Sequence, residues 1–130
     1  MTEEKSPIRI FAAEDQKTWQ WTIEKAIEIL EAELVVPIVA DFDQAMILIK
    51  KLAQLKVDIA IIDGNLTAEE HDGEEGRTMI RAIRASAPAV KIIAYSSAPL
   101  SMKSEVADAY LDKVDYEKLA PLILNLLDKE

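Results

Sequence analysis

Val57-Asp58-Ile59-Ala60-Ile61-Ile62-Asp63-Gly64-Asn65 is a β-branched apolar run that stops on a carboxylate, a glycine and an asparagine. A short apolar run bounded by turn residues reads as a buried strand. Strands of parallel sheets, covered by helices on both faces, have this near-continuous apolar character. Asp63 falls where the strand leaves the sheet, and in open α/β sheets sites lie at the carboxyl ends of strands. Taken alone, Asp63 also fits an aspartate that opens a turn or caps the next helix. The other strand ends must decide between these two readings.

Working outward, the same alternation continues on both sides. Ile8–Ala13 is a short apolar strand that ends in the acidic pair Glu14-Asp15. From Gln16 to Leu30, Trp19, Ile23, Ala26, Ile27 and Leu30 recur at helical spacing and mark a buried face. Trp21 and Ile29 fall off that stripe; Trp21 suits either an exposed anchor for a partner or packing on a neighbouring loop. Leu34–Ala40 reads as a second strand, and Pro37 within it suits a sheet edge. Asp41 or Asp43 can cap a helix reaching Gln54, with Ala45, Leu48, Ile49 and Leu52 inward.

Beyond Asp63, the segment from Gly64 to Gly76 holds all 3 glycines, many acids and the single histidine, His71. Such a segment reads as a mobile acidic loop, and a lone histidine there reads as solvated rather than as a ligand. Glu74–Ser86 is a helix with Met79, Ile80 and Ile83 inward, ended by Ala87-Pro88. Lys91–Tyr95 is a strand ending in Ser96-Ser97, and Ala109–Leu111 is a strand ending at Asp112-Lys113. Between them, Pro99 to Asp108 has room for two helical turns or fewer. The last helix runs from Tyr116 to Asp128; Pro121 requires it to start near Ala120 or to bend there. Strands alternating with helices in this way predict one α/β domain over residues 1–130, a flavodoxin-like (βα)5 three-layer sandwich. Its parallel sheet takes the order 2-1-3-4-5, with strands one and three side by side at the switch point.

Composition narrows the function. The chain of 130 residues carries 15 basic and 24 acidic residues, a net charge of −9. An acidic surface argues against nucleic acid and anionic membranes, and suits cations or basic protein patches. With no cysteine there is neither disulfide nor thiolate chemistry. The first residues lack the apolar segment of a secretory signal, and no apolar run approaches a membrane span. A cytoplasmic location is the expectation.

Under this topology Glu14, Asp15, Asp63, Ser96 and Lys113 all face one crevice. Carboxylates that close repel: at 4 Å and an effective dielectric of 20, each pair costs roughly 4 kcal/mol. A hard divalent cation such as Mg²⁺ relieves this, and commonly bridges carboxylates to phosphate. Lys113 offers a cation to an anionic adduct on Asp63, and Ser96 offers a hydroxyl. These parts suit an aspartate that accepts a phosphoryl group.

With those residues in place, the sequence resembles the receiver domain of two-component response regulators, from Ile8 to Leu127. Four motifs carry the resemblance: Glu14-Asp15, the strand-end Asp63, Ser96 after strand four, and Ala109-Tyr110-Leu111-Asp112-Lys113. The resemblance implies Asp63 as phosphoacceptor. It implies Glu14, Asp15 and Asp63 as Mg²⁺ ligands, joined by the backbone carbonyl of Asn65. It implies Ser96 as the switch hydroxyl and Lys113 as the phosphate-pairing lysine. Tyr110 matches the switch aromatic, and equally fits plain core. The implied donor is a sensor histidine kinase or a histidine phosphotransfer protein. The expected role is signalling or phosphorelay rather than enzymatic turnover, by a stand-alone receiver, since the chain ends with the fifth helix.

Three departures from the family pattern stand out. The stretch after Asp63 is long and has Thr67 in the region of the family's proline. Val114 follows Lys113 where the family has proline. The short segment between Ser96 and Tyr110 leaves the fourth helix stunted or missing. They keep a rival open: a pseudo-receiver that binds proteins without phosphorylation. A second rival is enzymatic, since Asp63-Gly64-Asn65-Leu66-Thr67 looks like the motif of haloacid-dehalogenase-type phosphatases. Asn65 there replaces the second acid, and the motif sits on strand three rather than strand one.

Overall fold

The computed structural model describes residues 7–64, 66, 73–98, 102 and 107–128, the side chain of 128 apart. Strand β1 is Arg9–Ala13, helix α1 Lys17–Leu30, β2 Glu33–Leu34 and α2 Phe42–Ile49. Then follow β3 Ile59–Ile62, α3 Glu74–Ser86, β4 Lys91–Ser96 and β5 Ala109–Asp112. A 3₁₀ segment, Lys113–Lys118, leads into α4, Leu119–Asp128. The strands form one 5-stranded parallel sheet in the order β2-β1-β3-β4-β5, as the alternation predicts.

Residue alternation along the strands builds two cores. Ile10, Ala12, Ile59, Ile61, Ile93, Tyr95 and Leu111 pack under α1 and α4. Phe11, Ala13, Ala60, Ile62, Ile92 and Ala94 pack under α2 and α3. β3 is therefore apolar at every position, and β1 at every position after Arg9, because both faces are covered there. Each fully buried isoleucine contributes about 1.5–3 kcal/mol of transfer free energy.

Several boundaries differ from the sequence expectation. Strand two is paired with β1 only over Glu33–Leu34. The chain then detours past Pro37 and returns for an isolated bridge between Ala13 and Val39. Proline has no N–H for the ladder, so the pairing breaks around it; its placement at a sheet edge holds. Helix α2 starts one residue earlier than expected, with the Asp41 carboxylate accepting from Gln44 N at 2.9 Å. It ends at Ile49 rather than Gln54, and tighter i→i+3 bonds carry the chain onward while Leu52 stays buried. The last helix begins at Leu119, which puts Pro121 in its first turn, where a missing N–H costs little. Residues 99–101 and 103–106, where a fourth helix was expected to be stunted, lie outside the described residues. So do Thr67 and His71. No described helix is long and apolar enough to cross a membrane.

The register sets what the sheet presents. Ala13 pairs with Ile62, Ile62 with Ala94, and Ser96 with Asp112. The carboxyl ends of β1, β3, β4 and β5 thus finish along one edge, where the residues that follow β1, β3 and β5 (Glu14, Asp63 and Lys113) and the last residue of β4 (Ser96) are buried.

Candidate functional site

Glu14 is the first residue beyond β1 and has no solvent exposure. Its backbone is held at both ends: Glu14 N donates to Val39 O at 2.9 Å, and Gln20 Nε2 donates to Glu14 O at 2.8 Å. Gln16 N donates to Glu14 Oε2 at 3.1 Å, so the carboxylate also serves the start of α1. Glu14 Oε1 is reached by Lys113 Nζ at 2.8 Å as an ion pair. Asp63 follows β3, and its N–H donates to Ala13 O at 3.1 Å. Asp63 Oδ1 accepts from Gly64 N at 2.7 Å and stands 3.5 Å from Lys113 Nζ. Asp15 is half-buried. Glu14, Asp15 and Asp63 each offer an oxygen, and these oxygens lie within 4.8 Å of one another.

One ammonium thus faces a corner of carboxylates from which water is largely excluded. Burial pushes the Glu14 carboxyl up from 4.5 to about 7, and the nearby Asp63 charge adds to the rise against the pull of Lys113. Burial also raises Asp63, opposed by Lys113 and by the Gly64 N–H. Ionised, both groups carry negative charge that the protein alone compensates incompletely. Hard carboxylate oxygens, clustered and under-compensated, are a donor set that fits a hard divalent cation.

The remaining sequence-predicted residues are placed as follows. Ser96 is buried at the end of β4, and its Oγ accepts from Ala98 N at 3.1 Å. It lies over Gly64, since a Cβ built there would stand 3.3 Å from Ser96 Oγ. The hydroxyl is therefore beside the residue that follows Asp63. Tyr110 is half-buried against the α2/α3 core, and its hydroxyl accepts from Ala107 N at 3.0 Å. Asn65 lies outside the described residues. Trp21 is 51% exposed on α1, which favours the exposed one of the two placements that its position off the buried stripe left open. Lys25 Nζ lies 5.5 Å from the centre of its ring.

Sequence reasoning missed Gly76, which sits within α3. Its N–H donates to Gly64 O at 2.6 Å, and a Cβ there would stand 2.8 Å from Asp63 O and strike Met102 Sδ. A glycine inside a helical pattern is the signal that would have found it, since it marks a close backbone approach. Leu66 N, donating to Glu75 Oε1 at 2.6 Å, ties the other side of the same turn to α3. The backbone carrying Asp63 is thus clamped onto the first turn of that helix.

A parallel sheet of this order with acids at the ends of β1 and β3 defines a class, and known structures give it a name. The sequence matches no protein-family model and no curated protein. Solved structures are similar to it over most of their length. A response regulator from Thermotoga maritima superposes with a TM-score of 0.73 at 18% identity, covering 95% of this chain and 100% of that one. The BeF3-activated DrrB receiver domain gives a TM-score of 0.72 at 15% identity, covering 95% and 100%. The Mn²⁺-bound form of the response regulator Rcp1 gives 0.69 at 14% identity, covering 95% and 97%. The chain has the fold of response regulator receiver domains.

Proposed function

We propose that this chain acts as a receiver domain that accepts a phosphoryl group on Asp63 and thereby changes its affinity for another protein, or passes the group on in a relay. The observation that carries the reading is the meeting of Glu14, Asp15, Asp63 and Lys113 in one largely buried corner, from three separate stretches of chain. The donor is a phosphohistidine on a sensor kinase or a phosphotransfer protein. A carboxylate oxygen of Asp63 attacks phosphorus, the N–P bond breaks, and the leaving imidazole nitrogen keeps the electron pair and takes up a proton. The Gly64 N–H and the ammonium of Lys113 hold the carboxyl group in one orientation for that attack.

Glu14, Asp15 and Asp63 would hold Mg²⁺, which supplies charge neutralisation for the carboxylates and the incoming phosphoryl oxygens. The Mn²⁺-bound form of the structural neighbour Rcp1 supports a divalent ion at this kind of fold. In the acyl phosphate, Lys113 and the Ser96 hydroxyl donate to the new oxygens. Phosphorylation adds up to about two negative charges at the corner. Driving a switch from 1:99 to 99:1 takes about 5.5 kcal/mol of differential contact, and these donors, with Tyr110 repacking behind them, are its sources.

The test is labelling with a small phosphodonor, acetyl phosphate, read by the mass of the intact chain with Mg²⁺ and with a chelator. The expected result is Mg²⁺-dependent label on the natural chain and none on Asp63→Asn. Equal labelling of both removes Asp63 from its role, and no label on the natural chain leaves a binding module that works without phosphate.

A further inference from the structure

Three side chains beside the corner have no part in that reading: Trp19 and Thr22 on α1, and Tyr95 on β4. Tyr95 is fully buried beneath α1, and its phenol oxygen lies 2.7 Å from Thr22 Oγ1. Thr22 Oγ1 in turn lies 2.7 Å from the Trp19 carbonyl oxygen. A threonine hydroxyl has one proton, and a carbonyl only accepts. Thr22 therefore donates to Trp19 O, and Tyr95 donates to Thr22. The direction of the chain is settled by counting protons: Tyr95 to Thr22 to Trp19. One end adjoins Ser96, the next residue of β4. The other end holds the backbone from which the Trp19 ring projects.

That ring lies against the ammonium of the corner, with Lys113 Nζ 5.5 Å from its centroid. A lysine stem is long and its ammonium is a compact point charge, so the stem alone does not choose where the charge sits. Glu14 at 2.8 Å and Asp63 at 3.5 Å attract it from the carboxylate side. The electron-rich indole face attracts it as well, and more strongly where water is excluded. Lys113 is 4% exposed, so this is such a place.

We infer that Trp19 is a positioning residue for Lys113: its indole face seats the ammonium beside Glu14 and Asp63, and the Tyr95–Thr22 pair braces the turn of α1 that carries the ring. The consequence for phosphoryl acceptance rests on the phosphoacceptor reading; the seat itself does not.

Two measurements on the full chain separate them. The sequence has 2 tryptophans, so Trp21→Phe leaves Trp19 as the one tryptophan emitter. In metal-free buffer, adding Lys113→Met to that variant is expected to change the Trp19 emission. Unchanged emission overturns the seat. The second measurement is the rate of labelling by acetyl phosphate with Mg²⁺. Trp19→Leu is expected to slow the limiting rate about tenfold with the half-saturating donor concentration unchanged, whereas Trp19→Phe keeps most of the rate. A natural rate in Trp19→Leu, or equal slowing in Trp19→Phe, overturns the inference. Should Trp19→Leu not fold, Thr22→Val is measured instead, since it cuts the brace and spares the ring; an unchanged rate there overturns the inference too. If the natural chain takes no label, the phosphoacceptor reading falls, and the emission measurement still decides the seat.

Discussion

At the amino ends of the strands, Arg9 Nη1 meets Glu33 Oε2 at 2.9 Å with the side chains 33% and 43% exposed. Arg84 Nη2 meets Asp108 Oδ2 at 3.0 Å, at 32% and 24% exposure. At the carboxyl ends, Lys113 Nζ meets Glu14 Oε1 at 2.8 Å, and those side chains are 5% and 0% exposed. The distances are alike and the energetics are opposite. On the rim each charge has a partner of its own and water screens the rest, so such a pair contributes about 0–1 kcal/mol. In the corner one ammonium serves more than one carboxylate without that screening. Desolvation there outweighs much of the attraction, and the surplus negative charge is what a cation or a charge-shifting reaction can use.

The strongest way to break this contrast is to remove the ammonium. Lys113→Met leaves the carboxylates buried and unpaired, and is expected to destabilise the metal-free protein by about 3–5 kcal/mol near neutral pH. The urea midpoint measures it. A loss no larger than that of a rim pair would erase the distinction.

Next in size is the pH dependence of the metal-free protein. The Glu14 carboxyl is raised from 4.5 to about 7 in the folded chain. Between those values the folded chain keeps a proton that the unfolded chain has released, so stability falls as pH rises. The full loss is about 3 kcal/mol, complete once the pH passes the folded value. Denaturation series across that window, with a chelator, should show this slope, and Glu14→Gln should flatten it. Stability that rises through the same window would mean that the corner is not short of positive charge. Mg²⁺ bound by the ionised acids should work against the loss.

Gly76→Ala sharpens the comparison, because it changes shape and leaves charge alone. The new Cβ would lie 2.9 Å from Gly64 Cα as well as crowding Asp63 O. Overpacking of this kind costs about 1–3 kcal/mol, and a slower labelling of Asp63 should accompany it. The smallest effect belongs to the rim: Glu33→Gln should cost less than about 1 kcal/mol, shrinking further in high salt.

How far the molecule was readable differs from part to part. The order of the sheet followed from β-branched runs alternating with helical stripes, and helix α3 fell where its stripe and Ala87-Pro88 placed it. Strand two was read too long, because Leu34–Ala40 is apolar enough for a strand while a single proline breaks its pairing. Glu14, Asp63 and Lys113 were legible as polar residues at the ends of apolar runs. Trp19, Thr22 and Tyr95 were read only as parts of buried faces, if at all. Helical and strand periodicity says that a side chain points inward; it does not say which polar atom it meets there.

The amino-acid sequence by itself determined the layers, the strand order and which acids stand at the strand ends, because apolar periodicity and turn chemistry are local properties of the chain. Only the tertiary structure decided that Lys113 lies closer to Glu14 than to Asp63, that Gly76 supports the Asp63 backbone, and that Trp19 covers the lysine. Those are distances between residues far apart in the chain, set by sheet register and by the packing of α1 and α3.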